Sequence, residues 1–178
     1  KPVIYFPKFF HPDPTVKRQS GFLMPQVIDS TSLGLSFELP YYKVLSDNKD
    51  LTFTPRIFSE NEGLFQNEYR QVNENSKHIA DFSLKEKNSS SKTHFFSNSI
   101  AKLEIDTFDI SEIELNVELT SDDNYLKTHN ISSSINENQS LLESFLLFRG
   151  SSRDMDFETK IEAYEDLSKD KSSDKYEY

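Results

Sequence analysis

The sequence predicts an all-β protein, built as an antiparallel meander of about nine strands. The first observation is that apolar and polar residues alternate along most of the chain, as in strands with one buried face. The second is that short polar breaks separate the alternating runs, and breaks of this length favour antiparallel hairpins over helical crossovers. The pattern contains no convincing amphipathic helix and no internal repeat.

Seven stretches carry the alternation, and each is predicted to form a strand. They lie at residues 35–41, 51–57, 65–70, 80–85, 101–106, 112–120 and 155–162. The clearest of them places four apolar side chains at every second position: Ile113, Leu115, Val117 and Leu119. Residues 141–148 are nearly all apolar, so the pattern does not separate their two faces, and the weak stretch 125–134 fits a loop.

The apolar face of such a sheet can be covered in two ways. In a soluble β-sandwich a second sheet packs against it, whereas in an outer-membrane barrel lipid covers it and the polar face lines a wet lumen. Charged side chains at strand centres, as at Glu112, Glu114 and Glu118, fit the lumen of a barrel and the solvated face of a sandwich equally. Alternation alone therefore leaves both architectures open.

Composition limits the function classes. A net charge of −10 argues against a nucleic-acid or anionic-membrane surface binder, since phosphate contacts need clustered Lys and Arg. The absence of cysteine excludes a disulfide framework, a zinc–thiolate site and a cysteine nucleophile. Aromatic residues make up 13% of the chain, which favours a folded protein over a disordered one. No run of about 18 apolar residues occurs, so no transmembrane helix is predicted.

The sequence contains no pattern that indicates catalysis. The glycines are isolated, so no phosphate-binding loop is predicted, and no Gly-x-Ser-x-Gly motif occurs. A glycosidase carboxylate pair among Glu112, Glu114 and Glu118 is less favoured than a plain polar face, because every strand carries such residues. The histidines have no partner at metal-ligand spacing and are predicted to lie in solvent or in turns: His11, His78, His94 and His129. We therefore predict no catalytic residue, no metal and no cofactor.

Two prolines lie in consecutive predicted strands, Pro25 after Gly21-Phe22-Leu23-Met24 and Pro40 within Leu39-Pro40-Tyr41-Tyr42. A proline inside a strand removes a hydrogen-bond donor from the ladder, so it belongs at a sheet edge, a bulge or a strand end. Two adjacent strands with one proline each are unusual. The pattern alone also fits a pair of prolines that mark where the sheet stops.

At these residues the sequence resembles the LptD family of LPS-assembly proteins, which are outer-membrane translocons for lipopolysaccharide. The matching stretches follow the family order within the first 72 residues, and Ser-Asp-x-x-Tyr-Leu recurs at 121–126. The turn at 44–49 and residues 74–120 depart from the family pattern. The stretches that match in the first part of the chain are 3–7, 17–25, 39–42, 50–56, Gly63 and 68–70.

The resemblance implies an excerpt of a longer protein, in agreement with an opening stretch that lacks Met and a signal peptide. Residues 1–10 would end a periplasmic jelly-roll domain, residues 11–20 would be a linker, and residues 21–178 would form the N-terminal strands of a large outer-membrane β-barrel. In the family, LPS reaches the jelly roll along a periplasmic bridge and leaves through a lateral opening between the first and last barrel strands. The family catalyses no reaction.

The implied partners are lipopolysaccharide, an LptE-like plug lipoprotein, an LptA-like bridge protein that binds the jelly roll, and the outer-membrane lipid of a Gram-negative bacterium. No nucleic acid is expected. The resemblance assigns Pro25 and Pro40 to the lateral gate. With the alternation, it predicts eight lipid-facing residues: Leu35, Phe37, Leu39, Tyr41, Ile113, Leu115, Val117 and Leu119. It predicts six lumen-facing residues: Glu38, Glu68, Arg70, Glu112, Glu114 and Glu118. Another outer-membrane barrel, such as a porin or receptor, and a soluble β-sandwich binding module remain the alternatives.

Overall fold

The computed structural model describes residues 18–30, 33–59, 62–87, 90–169 and 172–178. The predicted end of a jelly-roll domain, residues 1–10, lies outside the described residues. Of the predicted linker, only residues 18–20 are described. The domain boundaries inferred from the sequence therefore stay predictions.

Twelve strands form one antiparallel sheet in the described part of the chain. The first six are β1 Gly21–Phe22, β2 Gln26–Ser30, β3 Gly34–Glu38, β4 Tyr41–Ser46, β5 Lys49–Phe58 and β6 Gly63–Val72. The others are β7 Ser76–Lys87, β8 Ser90–Leu103, β9 Ile110–Thr120, β10 Leu141–Ser151, β11 Asp156–Asp166 and β12 Tyr176–Glu177. Two short helices, α1 Tyr125–His129 and α2 Ser172–Lys175, complete the described elements.

The strands follow one another across the sheet in chain order, which confirms the predicted antiparallel meander. β3 and β4 both pair with β5, so they lie end to end along one path. β2 pairs with β3 and β1 with β4, so β1 and β2 also share a path. From β5 to β11 each path is one uninterrupted strand. The sheet does not close on itself within the described residues.

Cross-strand partners share a face of the sheet, so the pairing registers sort the side chains into two sets. Arg56 pairs with Leu64, and Leu64 pairs with Lys85, on the face that we call inner. Residues 121–140, here named the covering segment, pack on this inner face. On the opposite, outer face Phe65 pairs with Leu84, and both side chains remain exposed.

The buried apolar cluster lies between the inner face and the covering segment. The sheet contributes Phe58, Leu64 and Phe96, and the covering segment contributes three more apolar side chains, Tyr125, Leu126 and Ile131. Leu142 and Leu167 complete the cluster from the strand ends beside the segment. The core is therefore small and one-sided, and it leaves the outer face bare.

The stretch predicted to be a loop contains α1, a single helical turn. It ends at Asn130, which has a φ of 48° and donates its N–H to the carbonyls of Leu126 and Lys127. Asn tolerates this left-handed conformation better than most residues, so it suits the end of a helix. No helix among the described residues is long and apolar enough to cross a membrane.

Candidate functional site

Both of the first two strand paths are interrupted at a proline. The first path breaks between β1 and β2, where Pro25 lies, and the second breaks between β3 and β4, at Leu39 and Pro40. Three residues of the first path, 23–25, stand opposite two of the second, 39–40, as the flanking pairs Phe22–Tyr41 and Gln26–Glu38 show. An extra residue on one strand is a β-bulge, which disrupts the ladder locally.

One hydrogen bond spans this break, from the amide of Leu23 to the carbonyl of Pro40 at 2.8 Å. In an antiparallel ladder the two residues of a hydrogen-bonded pair normally exchange two such bonds. Pro40 has no N–H, so the return bond to Leu23 cannot form. At this point the two paths share one backbone hydrogen bond instead of the two that a regular hydrogen-bonded pair provides.

A cavity of about 440 Å³ lies on the inner side of this break. Leu23 and Pro40 form part of its wall, beside the carboxylates of Glu38 and Glu68. The remaining wall is mostly neutral and polar: Gln26, Thr52, Thr54, Gln66, Asn130 and Ser132. The interrupted strands thus border a polar space that the covering segment closes from the other side.

Long-range hydrogen bonds hold the covering segment on the inner face. Arg56 donates from Nη1 to the carbonyl of His129 at 2.7 Å. Gln66 donates from Nε2 to the carbonyl of Ser132 at 2.7 Å. Farther along the segment, Asn136 donates from Nδ2 both to Glu118 and to the carbonyl of Leu141. These contacts tie the segment to β5, β6 and β9, so it moves only if several strands release it.

A buried polar network lies under α1. The hydroxyl of Ser83 is hydrogen-bonded to Nδ1 of His94 at 2.6 Å and to the hydroxyl of Tyr125 at 2.7 Å. Nε2 of His94 lies 3.3 Å from a carboxylate oxygen of Asp81. Serine, histidine and aspartate are the residue types of a hydrolase triad, but here the serine contacts Nδ1 and the aspartate lies near Nε2 without a hydrogen bond, the reverse of the triad arrangement. Ser83 is also only 1% exposed, so the network serves to fix Tyr125 rather than to receive a substrate.

Burial shifts the pKa values of two side chains of α1, Tyr125 and His129. Desolvation raises the pKa of Tyr125 to about 12, because burial penalises the charged phenolate. Desolvation also lowers the pKa of His129 below its usual value, with further lowering from nearby Lys85. His129 donates from Nδ1 to the carbonyl of Tyr125 at 2.8 Å, and its Nε2 accepts from Nζ of Lys85 at 2.7 Å. A neutral imidazole satisfies both contacts.

The prediction that the histidines lie in solvent or turns is wrong for two of them. His94 and His129 are 2% and 3% exposed, because the covering segment buries them. His78 is half-buried and hydrogen-bonded to Ser99, and His11 lies outside the described residues. No cluster of His, Asp and Glu among the described residues could hold a metal ion.

The eight residues predicted to face lipid all lie on the outer face, since Phe37 pairs with Ile57, Tyr41 with Phe53, and Leu115 with Leu146. Four of them are exposed: Leu35, Phe37, Leu115 and Leu119. The other four are half-buried: Leu39, Tyr41, Ile113 and Val117. The medium that covers this face stays a prediction.

The six residues predicted to face the lumen all lie on the inner face. Glu68 lies across from Asp81 and Arg70 across from Asp50, and the Arg70 guanidinium is 2.8 Å from the Asp50 carboxylate. Glu112 and Glu114 flank Arg149 at 3.2 and 3.6 Å. Glu118 is 5% exposed because Asn136 of the covering segment lies against it. Glu38 lies 3.5 Å from Arg56.

Sequence reasoning missed Pro55 and Arg56. Pro55 lies in β5 opposite Leu39, whose amide donates to its carbonyl at 3.2 Å. It is the third of three prolines spaced 15 residues apart, after Pro25 and Pro40. That equal spacing was the available signal, because residues midway along successive antiparallel strands of equal length are equally spaced in the sequence and lie at one level of the sheet. Arg56 gives no signal in the sequence, since its partner His129 is 73 residues away.

No family model matches the chain. The LPS-assembly protein LptD of Pseudoalteromonas atlantica is 32% identical over 128 residues, which is 70% of this chain and 16% of the relative. The LptD protein of Ectopseudomonas mendocina is 39% identical over 75 residues, or 42% of this chain and 8% of the relative. That of Coxiella burnetii is 44% identical over 59 residues, 33% and 7% of the two chains. The resemblance inferred from the sequence is confirmed, and the chain spans only a small part of these relatives.

Proposed function

We propose that the chain is a segment of an LPS-assembly protein of the LptD family, and that it forms the first strands of an outer-membrane β-barrel through which lipopolysaccharide reaches the outer leaflet. The similarity to LptD proteins and the antiparallel meander support this proposal. Residues 21–178 would then be barrel strands, with residues 11–20 linking them to a jelly-roll domain formed in part by residues 1–10. The location would be the outer membrane of a Gram-negative bacterium.

Within this proposal, Pro25 and Pro40 form the lateral gate. The observation that carries it is the interruption of both initial strand paths at these prolines, spanned by the single bond from Leu23 to Pro40. A backbone N–H or C=O group without a hydrogen-bond partner is energetically costly in lipid. A sheet in a membrane therefore keeps its backbone hydrogen bonds complete unless its function requires a gap. A gap in the first two paths lowers the work of parting the strands there.

The two faces of the sheet would border two different environments around the proposed gate. The outer face, with Leu35, Phe37, Leu115 and Leu119 exposed, would contact membrane lipid, together with half-buried Leu39, Tyr41, Ile113 and Val117. The inner face would line the lumen, where an LptE-like lipoprotein would sit as a plug. An LptA-like protein would deliver lipopolysaccharide to the jelly roll. No catalytic step is proposed.

The double substitution Pro25→Ala with Pro40→Ala tests the gate in the full-length parent protein. Each restored N–H donor contributes about 0.5–1.5 kcal/mol when it finds an acceptor. We expect the variant to assemble and to deliver less lipopolysaccharide to the cell surface, with increased sensitivity to large hydrophobic antibiotics. Surface lipopolysaccharide would be measured after depletion of the wild-type protein.

The matched control is Met24→Ala with Leu39→Ala, which changes the neighbouring side chains and leaves every backbone donor in place. Normal delivery by a stably assembled proline variant would show that Pro25 and Pro40 only mark strand ends. Failure of the wild-type parent to restore surface lipopolysaccharide would reject the proposed function itself.

A further inference from the structure

We propose that His129 is an acid-sensitive catch for the covering segment: its neutral imidazole accepts a hydrogen bond from Lys85 on β7, and protonation of the same nitrogen releases the segment from the inner face. The inference goes beyond the proposed function, because it concerns how the segment is held on the sheet rather than what the protein carries.

The two partners of His129 determine which ring nitrogen carries the proton. Nδ1 lies 2.8 Å from the carbonyl oxygen of Tyr125, which can only accept, so Nδ1 carries the N–H. Nε2 lies 2.7 Å from Nζ of Lys85, and an ammonium group can only donate. Nε2 is therefore the unprotonated nitrogen, and it is the atom to which acid adds a proton.

Lys85 is fixed in place beside this nitrogen. Its side chain is 9% exposed, and its Nζ lies 2.7 Å from a carboxylate oxygen of Glu62. The same Nζ lies 5.4 Å from the centre of the Phe58 ring. A proton on Nε2 of His129 would thus place a ring N–H against an ammonium group at hydrogen-bond distance. Two positive charges repel each other strongly where little water screens them.

The surroundings of His129 favour its neutral form. Desolvation is the largest cause of its lowered pKa, and three nearby cations lower the pKa further. Both nearby carboxylates already bind a lysine, since Glu62 contacts Lys85 and Asp122 lies 2.8 Å from Nζ of Lys92. The charged and titratable side chains around His129 are Arg56 on β5, Lys85 on β7, Lys92 on β8, Glu62 before β6, and Tyr125 and Asp122 in the covering segment.

Release of His129 affects several contacts of the covering segment at once. The residue is 3% exposed, and its ring packs edge-on against Phe58 with 6.4 Å between the ring centres. Its carbonyl accepts from Nη1 of Arg56 at 2.7 Å, and two residues later the amide of Ile131 donates to the carbonyl of Leu126 at 3.0 Å. A charged ring needs water, so its hydration requires that this helical turn leave the sheet.

The direction of the pKa shift gives the pH range. In the released segment His129 has its ordinary pKa of about 6.5, whereas in the closed segment its pKa is lower. The released form therefore binds the proton more tightly, and acid favours release. Between these two pKa values the equilibrium constant for release rises about tenfold for each pH unit. The segment is held fully above the ordinary pKa and less firmly as the pH falls through it.

Hydrogen–deuterium exchange of the full-length parent protein, with its plug partner present, tests the catch at about pH 7.5 and about pH 5.5. Rates would be corrected for the pH dependence of exchange with an unstructured peptide of the same sequence. We expect amides of the covering segment to exchange about tenfold faster at the lower pH, and amides of β7 and β8 to keep their corrected rates.

Three glutamine variants assign the response to a residue. His129→Gln keeps one donor and one acceptor but cannot be protonated, so it should lose the acid response. Lys85→Gln should lose it too, because the amide can turn its oxygen towards a protonated ring. The matched control is His78→Gln, which removes a half-buried histidine on the outer face and should keep the full response.

Equal corrected exchange of the wild-type segment at both pH values would overturn the inference, whatever the variants do. An acid response that persists in His129→Gln, or that disappears in His78→Gln, would also overturn it. If His129→Gln already exchanges fast near neutral pH, a full acid response in Lys85→Gln overturns the inference and its loss supports it. These outcomes concern the covering segment alone. Failure of the parent to restore surface lipopolysaccharide is a separate result, and it would reject the proposed function.

Discussion

At the scale of single residues, the inner face carries buried charged side chains. Arg56 and Asp81 are charged residue types that are rarely buried without partners, yet they are 3% and 1% exposed. The covering segment and a neighbouring strand supply the partners of Arg56, the carbonyl of His129 and the carboxylate of Glu38. Asp81 lies 3.3 Å from Nε2 of His94 without a hydrogen bond between the two atoms. A buried ion pair is weak evidence for stability, because the cost of removing both charges from water can exceed their attraction. Removing one member of a buried ion pair destabilises the protein, because the other charge then stays buried without a partner.

Substitution of Arg56 by Met tests this arrangement. Breaking a buried pair by removing one partner costs about 3–5 kcal/mol, and we expect the lower end because the Glu38 side chain keeps 18% exposure. The expected result is a covering segment that trypsin cleaves faster at the exposed Lys127, together with increased entry of large antibiotics. Arg56→Lys keeps the charge but cannot span the three acceptors, so it should be intermediate.

The matched control is Arg70→Met, since Arg70 lies on the same face but its side chain is 45% exposed. A surface pair of this kind contributes about 0–1 kcal/mol. Equal cleavage and equal antibiotic entry for the Arg56 and Arg70 variants would show that Arg56 does not hold the segment.

At the scale of elements, alternation predicted most of the long strands because the period of two is a property of the extended backbone itself. The prediction for residues 101–106 was wrong in its second half, because β8 covers Ser90–Leu103 and ends within that stretch. Alternation did not predict α1, since one helical turn is too short to show a period of 3.6 residues. It did not predict the burial of His94 and His129 either, because the residues that bury them are distant in the chain: Tyr125 lies 42 residues from Ser83. The sequence shows that position 40 is a proline and so suggests an interruption there. The missing backbone hydrogen bond from Pro40 to Leu23 can be identified only from the pairing register of the strands.

Strand β9 offers a test of what covers the outer face. Leu115 lies at the centre of the strand and Leu119 four residues along it, near the end, on the same face. If lipid covers this face, Arg at position 115 costs about 2–4 kcal/mol, and the cost falls to about 0–1 kcal/mol near the interface. We therefore expect Leu115→Arg to reduce the assembled, protease-resistant fraction of the parent protein much more than Leu119→Arg. Equal tolerance of both would indicate that water covers the face.

At the scale of the whole molecule, the sheet that the described residues form is open, and its buried core lies on one side only. Large apolar side chains on its outer face are exposed, among them Phe82, Phe95 and Ile161 at 45%, 45% and 73%.

An open apolar face and unpaired strand edges at β2 and β12 lead to the last prediction, which concerns residues 1–178 expressed alone. Exposed apolar patches and free edges both promote association, so we expect aggregation in water and a monomer only in detergent micelles, measured by size exclusion. Phe82 and Phe95 are direct partners on the outer face, so Phe82→Lys with Phe95→Lys should reduce aggregation in water. The same pair of lysines should prevent assembly of the full-length parent in the membrane, because charge on a lipid-facing surface is costly. A monodisperse, cooperatively melting monomer of the unmodified segment in water would instead favour the β-sandwich, since a second covering layer would then have to come from the chain itself.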